Sequence, residues 1–203
     1  MNIVEKINNQ IANEPLSKKD FIKQFYEKTE LLGLKHTFNV EEAWEIACEI
    51  RQRNAFRLNA LEVQEKLLQE NYVTDDSETI KENNPVKEVV VDGLYLREIY
   101  NPPNELIITK IHTEEHFYFL MKGSMDILTH DGIERIEAPH YGITKPGIKR
   151  FIYTHTPCTF ITVHSLRGRT KEEMEDLVIT EDFNDPRVAL EDIKLIQKIK
   201  KLL

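Results

Sequence analysis

The stretch HFYFLMKGSMDILTHDGIERIEA, residues 116–138, decides the fold. It is dense in aromatic and β-branched residues, and it alternates over short runs. On a pleated backbone successive side chains point to opposite faces, so this pattern reads as two strands with a hairpin turn at Asp131-Gly132. Upstream, KEVVVDGLYLREIY (87–100) predicts two short strands around Asp92-Gly93, and ELIITKIH (105–112) continues with period-two alternation. Downstream, Pro139, Gly142, Pro146 and Gly147 punctuate the chain, and KRFIYTHTPCTFITVHS (149–165) predicts two more strands joined near Thr156-Pro157. Roughly eight short strands in about 80 residues imply a sandwich or a small barrel.

Both flanks read as helical. Residues 1–72 carry Ile3, Val4, Ile7 and Ile11 at helical spacing, then Phe21, Phe25, Leu31 and Leu32 behind a capping pattern at Ser17 and Asp20. Gly33 suits a helix end, and Asn39 suits the cap of VEEAWEIACEIRQRNAFRLNALEVQEKLLQ. The apolar set of that segment includes Ala43, Trp44, Ala47, Ile50, Leu58, Leu61, Leu67 and Leu68. Its phase drifts near Arg53–Asn59, so a kinked helix and two helices both remain open. Residues 73–86 are polar and contain Asn84-Pro85, as a linker would. After the strands, Thr170 with Glu173 is a second capping pattern, and Asp185-Pro186 opens a terminal helix with the basic end KIKK. The expected division is an N-terminal helical region over 1–80, a β-barrel over 87–166 and a helical tail over 167–203.

The formal net charge of −8 argues against general nucleic-acid binding, which favours a basic face. No stretch approaches the roughly 20 apolar residues of a membrane span. Cys48 and Cys158 have no paired spacing, so no disulfide framework is expected and a cytoplasmic location is the default. There is no G-x-S-x-G, no phosphate-binding P-loop and no H-E-x-x-H.

KIHTEEHFYFLMKG (110–123) and KPGIKRFIY (145–153) resemble the two motifs of the cupin superfamily. The resemblance covers roughly 80 residues and implies a single jelly-roll barrel in an α+β chain. It also implies pairing into homodimers or larger assemblies. HFYFLMKGSMDI, DGIERIEAP, ITKPGIKR and FITVHS are similar to cupin-domain proteins encoded by bacteriophages, most without an assigned reaction; that likeness implies a host-cytoplasm or virion setting.

Cupin motifs place three histidines and a carboxylate around one divalent metal. Counting from Gly123 and Gly147, those positions fall in this chain on Lys110, His112, His116 (in place of the carboxylate) and Arg150. A slipped register would make His112 and Glu114 the leading pair, but it displaces the glycine. Protonated lysine has no lone pair and arginine stays charged, so neither ligates a metal. Lys110 and Arg150 instead suit a small anion, a carboxylate or phosphate. The competing reading keeps a zinc, iron or manganese ion on His112, His116 and His164, with His155 as a further candidate. If the barrel is an enzyme, His112 or His116 is the candidate base. Tyr118 is a candidate proton donor whose simpler reading is core filling. Arg150 could alternatively bridge Asp126 or Glu134 at the rim. His36, His130 and His140 read as loop residues. The alternative class is a structural or virion protein with a degenerate site.

Overall fold

The computed structural model describes residues 17–20, 22–23 and 40–188. The helix expected around Ile3, Val4, Ile7 and Ile11 lies outside the described residues. So do Phe21, Phe25, Leu31, Leu32, Gly33, His36, Asn39 and the terminal helix beyond Val188. Of the capping pattern at Ser17, the Asp20 amide donates to Ser17 Oγ at 3.3 Å.

Hairpin chemistry sets the first register. Asp92 and Gly93 both take positive φ, 47° and 76°, as a two-residue turn that matches strand twist requires. Val91 therefore pairs with Leu94, and the ladder of β1 (Val86–Val91) with β2 (Leu94–Asn101) runs to Val86↔Ile99. The remaining strands are β3 (Leu106–Ile108), β4 (Ile111–His112), β5 (His116–Lys122), β6 (Ser124–Thr129), β7 (Gly132–Glu137), β8 (His140–Thr144), β9 (Phe151–Thr154), β10 (Cys158–Ser165) and β11 (Ile179–Thr180). They form a five-stranded sheet ordered β1-β2-β10-β5-β8, a four-stranded sheet ordered β3-β9-β6-β7, and the short pair β11-β4. Every ladder is antiparallel. The orders β2-β10-β5-β8 and β3-β9-β6-β7 are those of a jelly roll. Its core is built by Tyr118, Leu120, Cys158 and Phe160 from one sheet and Met125, Ile127, Ile136 and Ile152 from the other.

Helix α1 (Val40–Gln69) lies on the outside of the four-stranded sheet, where Phe56, Ala60, Val63 and Leu67 pack on Leu128 and Phe151. It is one uninterrupted helix. The drift in its apolar phase reflects residues on its far side: Leu58 and Leu61, expected inside, are exposed. The expected linker holds a short helix, α2 (Ser77–Asn83), because the Asp76 carboxylate caps it by accepting from the Thr79 amide at 2.8 Å. The tail is also more than helix. Helix α3 (Lys171–Val178) begins with the expected Thr170–Glu173 capping box, and then β11 pairs with β4. The tail is part of the barrel's cover, with Met174 and Val178 against Tyr95 and Phe183 and Val188 against Ile111.

Three strand boundaries differ from the sequence reading. Residues 116–138 form three strands, because Gly123, at φ 91°, bends the chain out of the five-stranded sheet at β5 and into the four-stranded sheet at β6. ELIITKIH is broken at Thr109-Lys110, where the chain leaves β9 to join β11. The section read as punctuation contains β8. Its Gly142 stands opposite Tyr118, and a Cβ there would lie 2.6 Å from the phenol oxygen. Small size is needed at that position to make room for the ring.

Gly123 combines a left-handed φ with a Cβ position 2.5 Å from the Pro157 carbonyl oxygen. Gly123→Ala is therefore expected to destabilise the protein by about 3 kcal/mol or more. Gly168→Ala, at φ 79° but in open space, is expected to cost about 1 kcal/mol. Urea denaturation of the two variants side by side checks the difference.

Candidate functional site

Strand alternation turns His116, Tyr118 and Leu120 of β5, and Cys158, Phe160, Thr162 and His164 of β10, into the barrel. His112 arrives from β4, which is held from outside by the tail. The Thr113 amide donates to the Val178 carbonyl at 2.9 Å and the Thr113 hydroxyl to that of Leu177 at 2.5 Å. The three imidazoles meet. Ring centroids are 4.3 Å apart for His112–His116, 4.2 Å for His116–His164 and 6.0 Å for His112–His164.

Their environment keeps them neutral. Burial pushes the His116 pKa down to about 3 and that of His164 to about 4. Burial, with the neighbouring imidazoles and Arg150, holds His112 well below its ordinary value. His116 Nδ1 lies 3.2 Å from the Glu114 carbonyl. A carbonyl only accepts, so Nδ1 carries the proton and Nε2 presents a lone pair. Among the described residues that Nε2, and Nδ1 of His112, are buried without a hydrogen-bond partner. Glu114 itself is turned away, bound in a fork to Arg169 at 2.8 and 2.9 Å. The slipped register that would make it a ligand beside His112 is not what the chain adopts.

Arg150 is buried beside this group. Its backbone amide donates to Thr109 Oγ1 at 3.0 Å, and its guanidinium donates to Thr144 Oγ1 at 2.7 Å while lying 5.1 Å from the centre of the Tyr118 ring. It does not bridge Asp126, which is held by Arg135 at 2.7 Å and His155 at 3.0 Å. Among the described residues Arg150 pairs with no carboxylate. A cavity of about 400 Å³ opens between the barrel and α1; Arg150 and Tyr118 line it together with Arg53, His130, Glu134 and Lys145, and the three clustered histidines do not.

Lys110 does not join the site. It is exposed and paired with Glu181 at 3.1 Å. Unbroken period-two alternation through residues 105–112 would put it on one face with His112, and the break at Thr109-Lys110 removes that alternation. Tyr118 packs at 5.4 Å on Phe160, and its hydroxyl lies 3.4 Å from Nε2 of His140. Burial raises its pKa, so it remains a protonated phenol. His140 opens β8 rather than lying in a loop, whereas His130 does lie in the turn between β6 and β7, its ring edge-on to Phe56. The sequence reading missed Thr144, the hydroxyl that orients Arg150, and buried Lys149, whose ammonium donates to the Thr109 carbonyl at 2.9 Å. Thr144 lies in the undetected β8; Lys149 was masked by its neighbour, the motif position Arg150.

Among the described residues no group of three or more His, Cys, Asp or Glu side chains is set to hold a metal ion, and no helix is long and apolar enough to cross a membrane.

No protein-family profile matches this chain, and neither does any curated protein. Solved structures do. A sugar phosphate isomerase from a cupin superfamily of Silicibacter pomeroyi is 11% identical, over 43% of this chain and 62% of that one, with a TM-score of 0.37. A cupin domain of Bordetella pertussis is 12% identical over 41% and 93%, with a TM-score of 0.34. A cupin 2 domain-containing protein of Halorhodospira halophila is 13% identical over 39% and 62%, with a TM-score of 0.36. This chain thus spans under two thirds of the first and third. The matches each cover less than half of this chain, and no chemistry is transferred from them. The class rests on the strand order: a jelly-roll β-barrel protein with α-helical additions.

Neutral burial makes the histidines a pH liability. Their folded pKa values lie below the unfolded value of about 6.5, so the unfolded chain binds more protons as pH falls below that value. Stability contributed by neutral imidazoles is complete above about pH 6.5 and is lost as the pH falls toward the folded values. Between pH 7 and 5.5 the loss is about 1 kcal/mol for each such histidine. Chemical denaturation in chelator across that range, with His116→Gln flattening the slope, checks this.

Proposed function

We propose that the barrel binds a small anionic molecule, with a carboxylate or phosphate group held by Arg150. The observation that carries this reading is a buried guanidinium without a carboxylate partner among the described residues, at the wall of a cavity of about 400 Å³. A buried charge is costly unless it is paired, and a planar fork of donors suits a carboxylate or phosphate. The volume is within the range of small-molecule sites. Thr144 and the Tyr118 ring fix the fork. The wall also carries Arg53 and Lys145 beside Glu49, Asp131 and Glu134, and Arg53 is paired with Glu49 at 3.1 Å. The imidazoles behind Arg150 act in this reading as neutral polar groups. An imidazole with its pKa near 3, as at His116, is a weak base at neutral pH, which favours binding over proton abstraction.

Inorganic phosphate, malonate and citrate at millimolar concentration are expected to raise the melting temperature by several degrees, chloride at equal ionic strength much less. Arg150→Met is expected to abolish the difference, and Lys110→Ala to preserve it. No anion-specific shift in the wild type, or an undiminished shift in Arg150→Met, would sink the proposal.

A second reading is favoured by the tie between His116 Nδ1 and the Glu114 carbonyl, which leaves Nε2 bare; metal-ligating histidines are held in this way. His112, His116 and His164 would then hold zinc, iron or manganese, which supplies Lewis acidity when bound. Near-stoichiometric metal by elemental analysis, lost in His116→Ala together with thermal stability, is the expected outcome. Metal-free protein whose melting point ignores all three ions would remove this reading.

A further inference from the structure

The charged groups around the cavity beside Arg150 are of two kinds. Toward α1 they have local partners: Arg53 pairs with Glu49 at 3.1 Å, and His130 Nε2 sits 3.4 Å from Asp131. Toward the barrel, two opposite charges stand unpaired. Arg150 is a buried guanidinium with no carboxylate on it, and Glu134 makes no ion pair or hydrogen bond, in both cases among the described residues. Strand register sets where Glu134 faces. Met125 pairs with Ile136 and Ile127 with Glu134. Met125, Ile127 and Ile136 all point into the barrel core, so alternation turns Glu134 to that same side. It nevertheless stays open to solvent, because β7 ends the four-stranded sheet and the cavity lies along that edge. Tyr118, on the facing sheet, stands near both charges. The Arg150 guanidinium lies 5.1 Å from the centre of its ring. Burial raises the pKa of its phenol, Arg150 draws it down and Glu134 pushes it up.

We propose that the ligand of this cavity is a small amino carboxylic acid, with its carboxylate on Arg150, its ammonium toward Glu134 and its carbon chain along Ile127 and Ile148. The inference rests on the anion-binding reading above and adds the second half of the ligand. Two opposite charges that face one cavity without neutralising each other match a molecule carrying both signs. A plain anion satisfies Arg150 but brings negative charge toward Glu134. An ammonium group removes that repulsion and gives Glu134 a charge-assisted hydrogen bond. A hydroxyl in its place could donate to Glu134 but would leave the carboxylate charge uncancelled. The apolar wall between the two ends, which includes Ile127 and Ile148, suits the methylene groups that separate them.

Titrations of the full chain followed by protein NMR test this. Glycine, β-alanine and γ-aminobutyrate are compared with acetate, propionate and butyrate, the acids of matching length without the ammonium. At one length or more the amino acid is expected to bind about 10-fold tighter than its counterpart or better. Glu134→Gln is expected to bring the ratio close to one without weakening the plain acid. Glu134→Lys is expected to invert the choice, so that glutarate, with a carboxylate where γ-aminobutyrate has its ammonium, binds the tighter of the two. Glu134 is exposed on an edge strand, and both variants are expected to keep the wild-type circular dichroism. Plain acids that bind the wild type as tightly as the amino acids at every length overturn the inference and leave anion binding standing. So does a preference for the amino acid that survives Glu134→Gln. Binding by neither series removes the anion-binding reading and this inference with it.

Discussion

Four hydrogen bonds between residues 109–112 and 147–150 hold the candidate site together. The Gly147 amide donates to the His112 carbonyl at 2.7 Å and the His112 amide to Ile148 at 3.4 Å. The Thr109 amide donates to the Arg150 carbonyl and the Arg150 amide to Thr109 Oγ1, both at 3.0 Å. These contacts join segments about 40 residues apart in sequence. They bring His112 and Arg150 to the same end of the barrel, and β5 then adds His116 and β10 adds His164. The tail reinforces the arrangement, since β11 covers the outer edge of β4, which would otherwise be a two-residue strand with one free side.

The electrostatics of the interior follow from that convergence. Burial disfavours charge on His112, His116 and His164, and Arg150 adds a fixed positive charge that makes protonation of His112 and His116 worse. Glu114, the nearest acidic candidate in sequence, is tied up by Arg169 on the outside. Arg150 therefore keeps a charge with no carboxylate on it among the described residues, and it also lines the cavity beside α1. The two cations read at the motif positions end in different places. Arg150 stays inside and Lys110 leaves.

The alternating pattern has a second consequence on the opposite face. The same strands that turn His116, Tyr118 and His164 inward turn Phe117, Phe119 and Val163 outward. That outward face is apolar yet open to solvent at Phe117, which is 50% exposed. Among the described residues the long helix α1 lies elsewhere, packed on the four-stranded sheet through Phe56, Ala60, Val63 and Leu67.

Much of this was legible in the residues. Period-two runs and Asp-Gly turns specify strands and hairpins through local sterics, and the capping pattern at Thr170 is a local hydrogen-bond device, so each could be read without knowing what lay across the barrel. His112, His116, His164 and Arg150 were identifiable as inward-facing candidates, and the four do lie in one neighbourhood. What the sequence could not decide was anything set by a partner distant in the chain. Lys110 was lost because a tail strand some 70 residues away draws β4 out of line with β3. Strand β8 was hidden because Gly142 looks like a turn residue until Tyr118 is seen filling the space above it. Local conformational preference is written in neighbouring residues, whereas the direction in which a side chain finally points depends on the strand that pairs beside it, and only the tertiary structure supplies that.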